Sequence, residues 1–231
     1  FHRTDHKDGS ATYLREYLRK YLMATRPERK DYASWNYAQF VTDSILWNTD
    51  PLYGWCNKNF KKDGSPYNVY SDGLKVFTTV DSRMQRYAEE AVYQHVARYL
   101  QPAFSKEISS KPSSPYSDKL TPKQIKAILN RSVTQCERYR QMKEAGCSAE
   151  EIHDTFRKKI PMTVFTYHGD IDTLMSPLDS IRYYKTFLRS GFMSMDPKTG
   201  AVKAYVGGLD YTHFMYDMVS LGRRQVGSTI K

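Results

Sequence analysis

Two short alternating runs, Phe192–Met195 and Ala201–Val206, stand on either side of Asp196-Pro197-Lys198-Thr199-Gly200. Proline presets the backbone at a turn corner and glycine takes the left-handed conformation that other residues resist, so these five residues are built to reverse the chain. The spacing predicts an antiparallel hairpin. Two strands cannot stand alone in water and must bury a face against other elements. The rest of the chain offers helices to do so. The predicted fold class is therefore α+β: an antiparallel sheet with packed helices, a helical linker before it and a helical insert within it.

From Ser10, a candidate N-cap, Tyr13, Leu14, Tyr17, Leu18, Tyr21 and Leu22 recur at helical spacing and predict one amphipathic helix to about Thr25. Trp35 to Trp47 carries a second, less regular helical pattern that ends at Asp50-Pro51. The aromatic and basic stretch from Tyr53 to Gly64 reads as a structured loop. Leu74, Val76, Thr78 and Val80 alternate in a β-branched run and predict a strand. Asp81 can cap the helix after it, in which Met84, Tyr87, Ala88, Ala91, Val92, His95, Val96 and Tyr99 form an apolar stripe. On that stripe His95 is expected to be a satisfied or partly buried histidine and not a catalytic one.

Ser109 to Ser117 is rich in serine and proline and reads as a flexible boundary. Thr121-Pro122 opens a helix to about Ala145, stopped by Gly146, and the capping box Ser148-Ala149-Glu150-Glu151 starts another that ends before Pro161. The pair forms a helical insert at about 101–165. Arg131, Arg138, Arg140, Lys143 and Glu144 on its faces suit a solvated surface or a docking role for a partner. Met162–Tyr167 then predicts a strand. Ser176-Pro177 with Asp179 starts a helix whose Ile181, Tyr184, Phe187 and Leu188 face one way.

A net charge of +10 and a pI near 9.3 allow an anionic partner: nucleic acid, phospholipid headgroups or a pyrophosphate-linked substrate. No Arg/Lys stripe runs along one helix, so nucleic acid is not expected. Cys56, Cys136 and Cys147 are too far apart for a Cys-x-x-Cys metal site and are read as isolated thiols. His2, Asp5 and His6 have metal-like spacing but sit at a terminus, where solvation is the plainer reading. No metal and no cofactor is expected. No run of about eighteen apolar residues occurs. The chain starts at Phe1 and stops inside its best motif, and is read as a piece of a longer protein.

That motif is Arg223-Arg224-Gln225-Val226-Gly227-Ser228-Thr229-Ile230-Lys231. If a helix begins near Ser228, Lys231 lies one turn on and on the same face. A serine hydroxyl needs a base to take its proton, and a helix N-terminus adds backbone N–H groups for an anionic acyl intermediate. Two common residues at this spacing also suit a capped surface helix. The preceding residues weigh against that bland reading. Gly191 to Gly208 with its Asp-Pro-x-Thr-Gly turn and Gly-Gly end, then Asp210-Tyr211, Phe214 and Arg-Gln-x-Gly-Ser-x-x-Lys, resemble the start of the transpeptidase domain of class A penicillin-binding proteins. Val226 stands where many relatives have proline. A second stretch, Lys75 to Val92, resembles the Thr-Thr-x-Asp-x-x-x-Gln passage with which that family joins its glycosyltransferase part to the transpeptidase. The residues 47–73 and 136–192 look most like the Bacteroidetes branch.

The resemblance implies a division into residues 1–73, a linker after a glycosyltransferase domain whose motifs are not in these residues, and 74–231, the beginning of the transpeptidase domain. It implies that Ser228 attacks the D-Ala-D-Ala carbonyl of a peptidoglycan stem peptide, with Lys231 as base, and that the family's Ser-x-Asn and Lys-Thr/Ser-Gly motifs follow Lys231. It also implies a lipid-linked precursor as partner, β-lactams as inhibitors, a membrane anchor only in the part before Phe1, and a place on the periplasmic face of the inner membrane. Alone, the piece is expected to be inactive. The rivals are a serine β-lactamase or β-lactam receptor, disfavoured by the linker passage, and a non-catalytic interaction or anchoring module of a cell-envelope protein.

Overall fold

The computed structural model describes residues 9–223. The chain is α+β, with two small antiparallel sheets and predominantly helical surroundings. It divides into two compact units: residues up to Glu89 with those from Gly191 on, and Glu90–Ser190.

In the first unit α1 (Thr12–Leu22) has the expected helical run. Its cap differs. Ala11, with φ 55°, occupies the cap position, and the Glu89 carboxylate accepts the Ala11 N–H (2.7 Å) and the Ser10 hydroxyl (3.1 Å). A carboxylate from another element thus meets the positive end of the helix, where a local serine was expected. The buried residues of α1 are Tyr13 and Glu16, and Tyr17 of the predicted stripe is exposed. Glu16 is held by Arg19 (2.9 Å) and by the Tyr70 hydroxyl (2.8 Å). The second helix, α2 (Tyr37–Thr49), forms as expected, and a single turn, α3 (Trp55–Lys58), lies in the predicted loop.

The run Leu74–Val80 is not a strand. It has no regular secondary structure, no strand among the described residues pairs with it, and Phe77 is 92% exposed. Strand propensity expresses fit to a pleated, half-buried surface, and that surface is missing here. Only the C-terminal end is tied down: the Thr79 hydroxyl donates to Val202 O (2.7 Å) and Asp81 N to Lys203 O (3.0 Å). Asp81 then caps α4 (Ser82–Gln94) as predicted, its carboxylate accepting the N–H groups of Arg83 and Met84. The expected stripe is rotated, since Gln85 and Ala88 are buried while Met84 and Tyr87 are exposed.

The predicted hairpin is present. β3 (Phe192–Met195) pairs antiparallel with β4 (Val202–Val206), Phe192 opposite Val206, with an irregularity between Ser194 and Met195. Gly200 has φ 73°, and the Asp196 carboxylate accepts the N–H groups of Lys198 and Thr199. Ala204, Tyr205 and Val206 are buried, and α1 packs on β4.

In the second unit the helix that begins as α4 passes through a π-helical turn at His95–Leu100 before α5 (Gln101–Ser109). Pro102, with no N–H to give, stands just beyond that turn and cannot continue an ordinary ladder. His95 is exposed, against the expectation of a satisfied or partly buried side chain. The helix expected over 121–145 is two helices, α6 (Pro122–Gln135) and α7 (Glu137–Glu144), parted at an extended Cys136. Val133 and Thr134, just before the break, are β-branched and lower the helix propensity there, and the Thr134 hydroxyl donates to Arg131 O (2.9 Å). The predicted capping box starts α8 (Ala149–Arg157): Glu151 N donates to the Ser148 hydroxyl and Ser148 N to the Glu151 carboxylate. A second box, Thr121 with Gln124, starts α6.

β1 (Ile160–Val164), predicted two residues later, pairs with β2 (Ile171–Met175), which the sequence did not reveal. Ser176 caps α9 (Pro177–Tyr184) with Asp179, as predicted, but the helix ends before Phe187 and Leu188. Phe187 instead joins Phe165, Tyr167 and Tyr183 in an aromatic cluster with centroids 5.1–5.7 Å apart. Gln101 closes this core, its amide donating to Thr186 O (2.9 Å) and its carbonyl accepting Leu188 N (2.9 Å).

Asp81, Asp196 and Glu151 are held below their ordinary carboxylate values by backbone N–H groups, and Asp179 first of all by the Ser176 hydroxyl. A depressed folded-state pKa contributes stability that is present above the unfolded value and lost as pH falls through the folded one. The unfolded values are 3.8 for aspartate and 4.5 for glutamate, so these groups should give a flat thermal midpoint above pH 4.5 and a falling one below it. Circular dichroism melts at pH 7, 5 and 3 check this; an unchanged midpoint at pH 3 would show that the caps contribute nothing.

Candidate functional site

The predicted nucleophile and base, Ser228 and Lys231, lie outside the described residues, as do His2, Asp5 and His6. What is described is the approach to Ser228, from β4 to Arg223. It begins at Gly207-Gly208. A Cβ on Gly207 would lie 2.5 Å from an Asp217 oxygen, and one on Gly208 2.2 Å from the Tyr13 hydroxyl. The absent side chains let α1 press Tyr13 onto the backbone, where its hydroxyl donates to Phe214 O (2.7 Å) and its ring meets Tyr211 edge-on at 5.0 Å.

Beyond the glycines the chain is held turn by turn. The Asp210 carboxylate accepts His213 N (2.9 Å) and lies 3.0 Å from His213 Nδ1. Met218 N returns to Gly207 O (2.8 Å). Asp217, which is buried, accepts the Tyr205 hydroxyl (2.6 Å), the Ser220 hydroxyl (2.8 Å) and Val219 N (2.9 Å). Burial and that hydrogen bond raise the Tyr205 pKa well above the usual phenol value, so Tyr205 stays a donor across the working pH range. Ser220 is thereby committed to structure. A cavity of about 520 Å³ opens beside this segment, lined among others by Glu16, Asp43, Tyr53, Asp217 and Arg223.

Sequence reasoning assigned no role to Gln85, which decides the geometry here. Its side chain is 1% exposed; its carbonyl accepts Tyr205 N (2.7 Å), and its amide donates to Tyr205 O (2.9 Å) and to Glu89 (2.8 Å). One side chain thus pairs with both backbone groups of a strand residue, as a neighbouring strand would. With Thr79 on Val202 and Asp81 on Lys203, the stretch from Thr79 to Gln85 runs along the outer edge of β4. The signal available in the sequence was a glutamine on a helix face otherwise apolar enough to be buried.

Among the described residues no group of three His, Cys, Asp or Glu could hold a metal ion, and no helix is long and apolar enough to cross a membrane. Residues 111–188 match the family described as the penicillin-binding protein middle domain. The chain is 27% identical over 199 residues to "Penicillin-binding protein 1A" of Neisseria flavescens, an alignment covering 74% of this chain and 24% of that protein. It is 25% identical over 193 residues to the protein of the same name in Neisseria meningitidis serogroup A, covering 71% and 23%. The chain thus spans about a quarter of the length of the curated relatives it matches. No solved structure matches it.

Proposed function

We propose, for a chain that is a stretch of a class A penicillin-binding protein, that it is the part of a peptidoglycan synthase that carries the acyl-accepting serine of the DD-transpeptidase. One observation carries this reading. The two passages whose residues bear the family pattern, Thr79 to Gln85 and Val202 to Tyr205, are hydrogen-bonded to one another at three successive points although more than a hundred residues separate them. A matched pair of passages that meet in space is what a shared scaffold requires.

In this reading residues 1–73 are the linker and 74–231 the beginning of the transpeptidase domain. Ser228 Oγ bonds to the penultimate D-alanine carbonyl as the amide bond to the terminal D-alanine breaks. The proton passes from Ser228 to Lys231 and on to the departing amine. An amine of a neighbouring stem peptide then takes the acyl group and frees the serine. The rest of the active site is supplied by the remainder of the protein, which works in the cell envelope on lipid-linked precursor and stem peptides. Relatives named for penicillin binding support β-lactams as inhibitors.

The experiment is acylation of the full-length enzyme with a labelled penicillin, followed by tryptic digestion. The label should sit on the peptide from Gln225 to Lys231, at Ser228. Label on another peptide, or none on active enzyme, overturns the assignment.

A further inference from the structure

The second unit contains a groove of about 1020 Å³ between α6 and α8 that the transpeptidase reading does not use. Its floor is two helical stripes. Ile125, Leu129 and Val133 follow one another at four-residue spacing along α6, and Ile152 and Phe156 do so along α8; Leu129, Ile152 and Phe156 are buried, so the apolar surface open to a guest comes from Ile125 and Val133 with Leu120, Tyr139 and Leu178. One residue further round each helix the character changes. Lys126, Asn130 and Thr134 form one rim, His153 and Arg157 the other, and Arg182 of α9 also lines the groove.

Among the described residues no aspartate or glutamate lines this groove. Arg182 is paired with Asp179 at 2.9 Å and His153 lies 3.5 Å from Asp154. Lys126 and Arg157 are exposed, with no carboxylate within pairing distance among the described residues. Two cations on opposite rims over an apolar floor call for an occupant with an apolar face and carboxylates on both flanks. Its length follows from α6. From Lys126 to Thr134 is eight residues, which at 1.5 Å rise each is about 12 Å, or two turns of a helix lying alongside. The volume is at the upper end for small-molecule pockets and suits an elongated guest with several side chains better than a compact one.

We infer that this groove is a docking site for an acidic amphipathic helix of a partner protein, taken up helix-in-groove through apolar anchors at i, i+3/i+4 and i+7. The rim cations set orientation and speed encounter, and the half-exposed Ile125, Val133 and Leu178 receive the apolar face.

A fluorescent synthetic helix of about fourteen residues, leucines on one face and glutamates on the others, is the probe for the 231-residue chain. Its anisotropy should show saturable binding, weakened at least tenfold by Lys126→Glu with Arg157→Glu and also by raising salt from about 50 to 500 mM. Hydrogen exchange should show protection of α6 and α8 on binding. Both rim residues are exposed, so the fold should survive; Lys126→Gln with Arg157→Gln should give a smaller loss of the same sign. The proposal is overturned if a lysine-for-glutamate probe binds equally well, if the charge reversal changes nothing, or if the peptide fails to bind while anionic phospholipid vesicles do.

Discussion

Ser228→Ala in the full-length enzyme should abolish the stoichiometric penicillin adduct while leaving the thermal midpoint within about 0.5 kcal/mol equivalent, since a single oxygen is removed. Only the proposed nucleophile is removed, so the loss should be complete and not graded. Lys231→Arg separates two roles for the lysine. A base must spend time neutral, and arginine holds its proton at any working pH while preserving the charge. If Lys231 accepts the serine proton, acylation should fall by roughly 10² to 10⁴, the usual contribution of general-base help. Stopped-flow acylation measures it. A Lys231→Arg enzyme that acylates within threefold of the parent would make Lys231 an electrostatic support and move the base elsewhere.

Gln85→Ala should cost about 3 kcal/mol or more, the largest stability loss expected of any single polar side chain described here. Truncation strands the N–H and C=O of Tyr205, both facing a buried site, and each buried polar group left unpaired costs about 1–3 kcal/mol. Gln85→Glu is the sharper companion. It keeps an acceptor for Tyr205 N but loses the donor to Tyr205 O and sets a second carboxylate beside Glu89. Urea unfolding gives the loss, and exchange of the Tyr205 amide locates it, since 3 kcal/mol of lost protection is roughly a hundredfold faster exchange. A Tyr205 amide as protected in Gln85→Ala as in the parent would mean that β4 does not depend on this side chain.

What the sequence made legible was local chemistry. Asp196 to Gly200, Ser148 with Glu151, Ser176 with Asp179 and Asp81 each act over three or four residues, and each appears where its residue types placed it. What stayed hidden depended on partners far along the chain. Leu74–Val80 has the composition of a strand but no strand paired with it among the described residues, and Glu89 rather than Ser10 closes α1 because α4 brings it there. The break at Cys136 leaves the apolar periodicity on either side intact, so the pattern alone does not reveal it. Gln85 could be read as part of a recognised passage, but its task depends on Tyr205, 120 positions away. The proposed pair, Ser228 and Lys231, was legible by spacing and resemblance and lies beyond Arg223, where the described chain ends.

The Gln85 amide also gives the hairpin a direction of growth. Along β4, the carbonyls of Val202 and Lys203 and both backbone groups of Tyr205 are already taken by Thr79, Asp81 and Gln85, which obstructs that margin. β3 carries no such seal among the described residues, and its Phe192 and Met195 side chains are 44% and 51% exposed. Any strand added to this sheet must therefore enter beside β3. The glutamine works as a one-way stop: it fixes which flank is first and which is last, and keeps a misplaced strand from pairing on the wrong side.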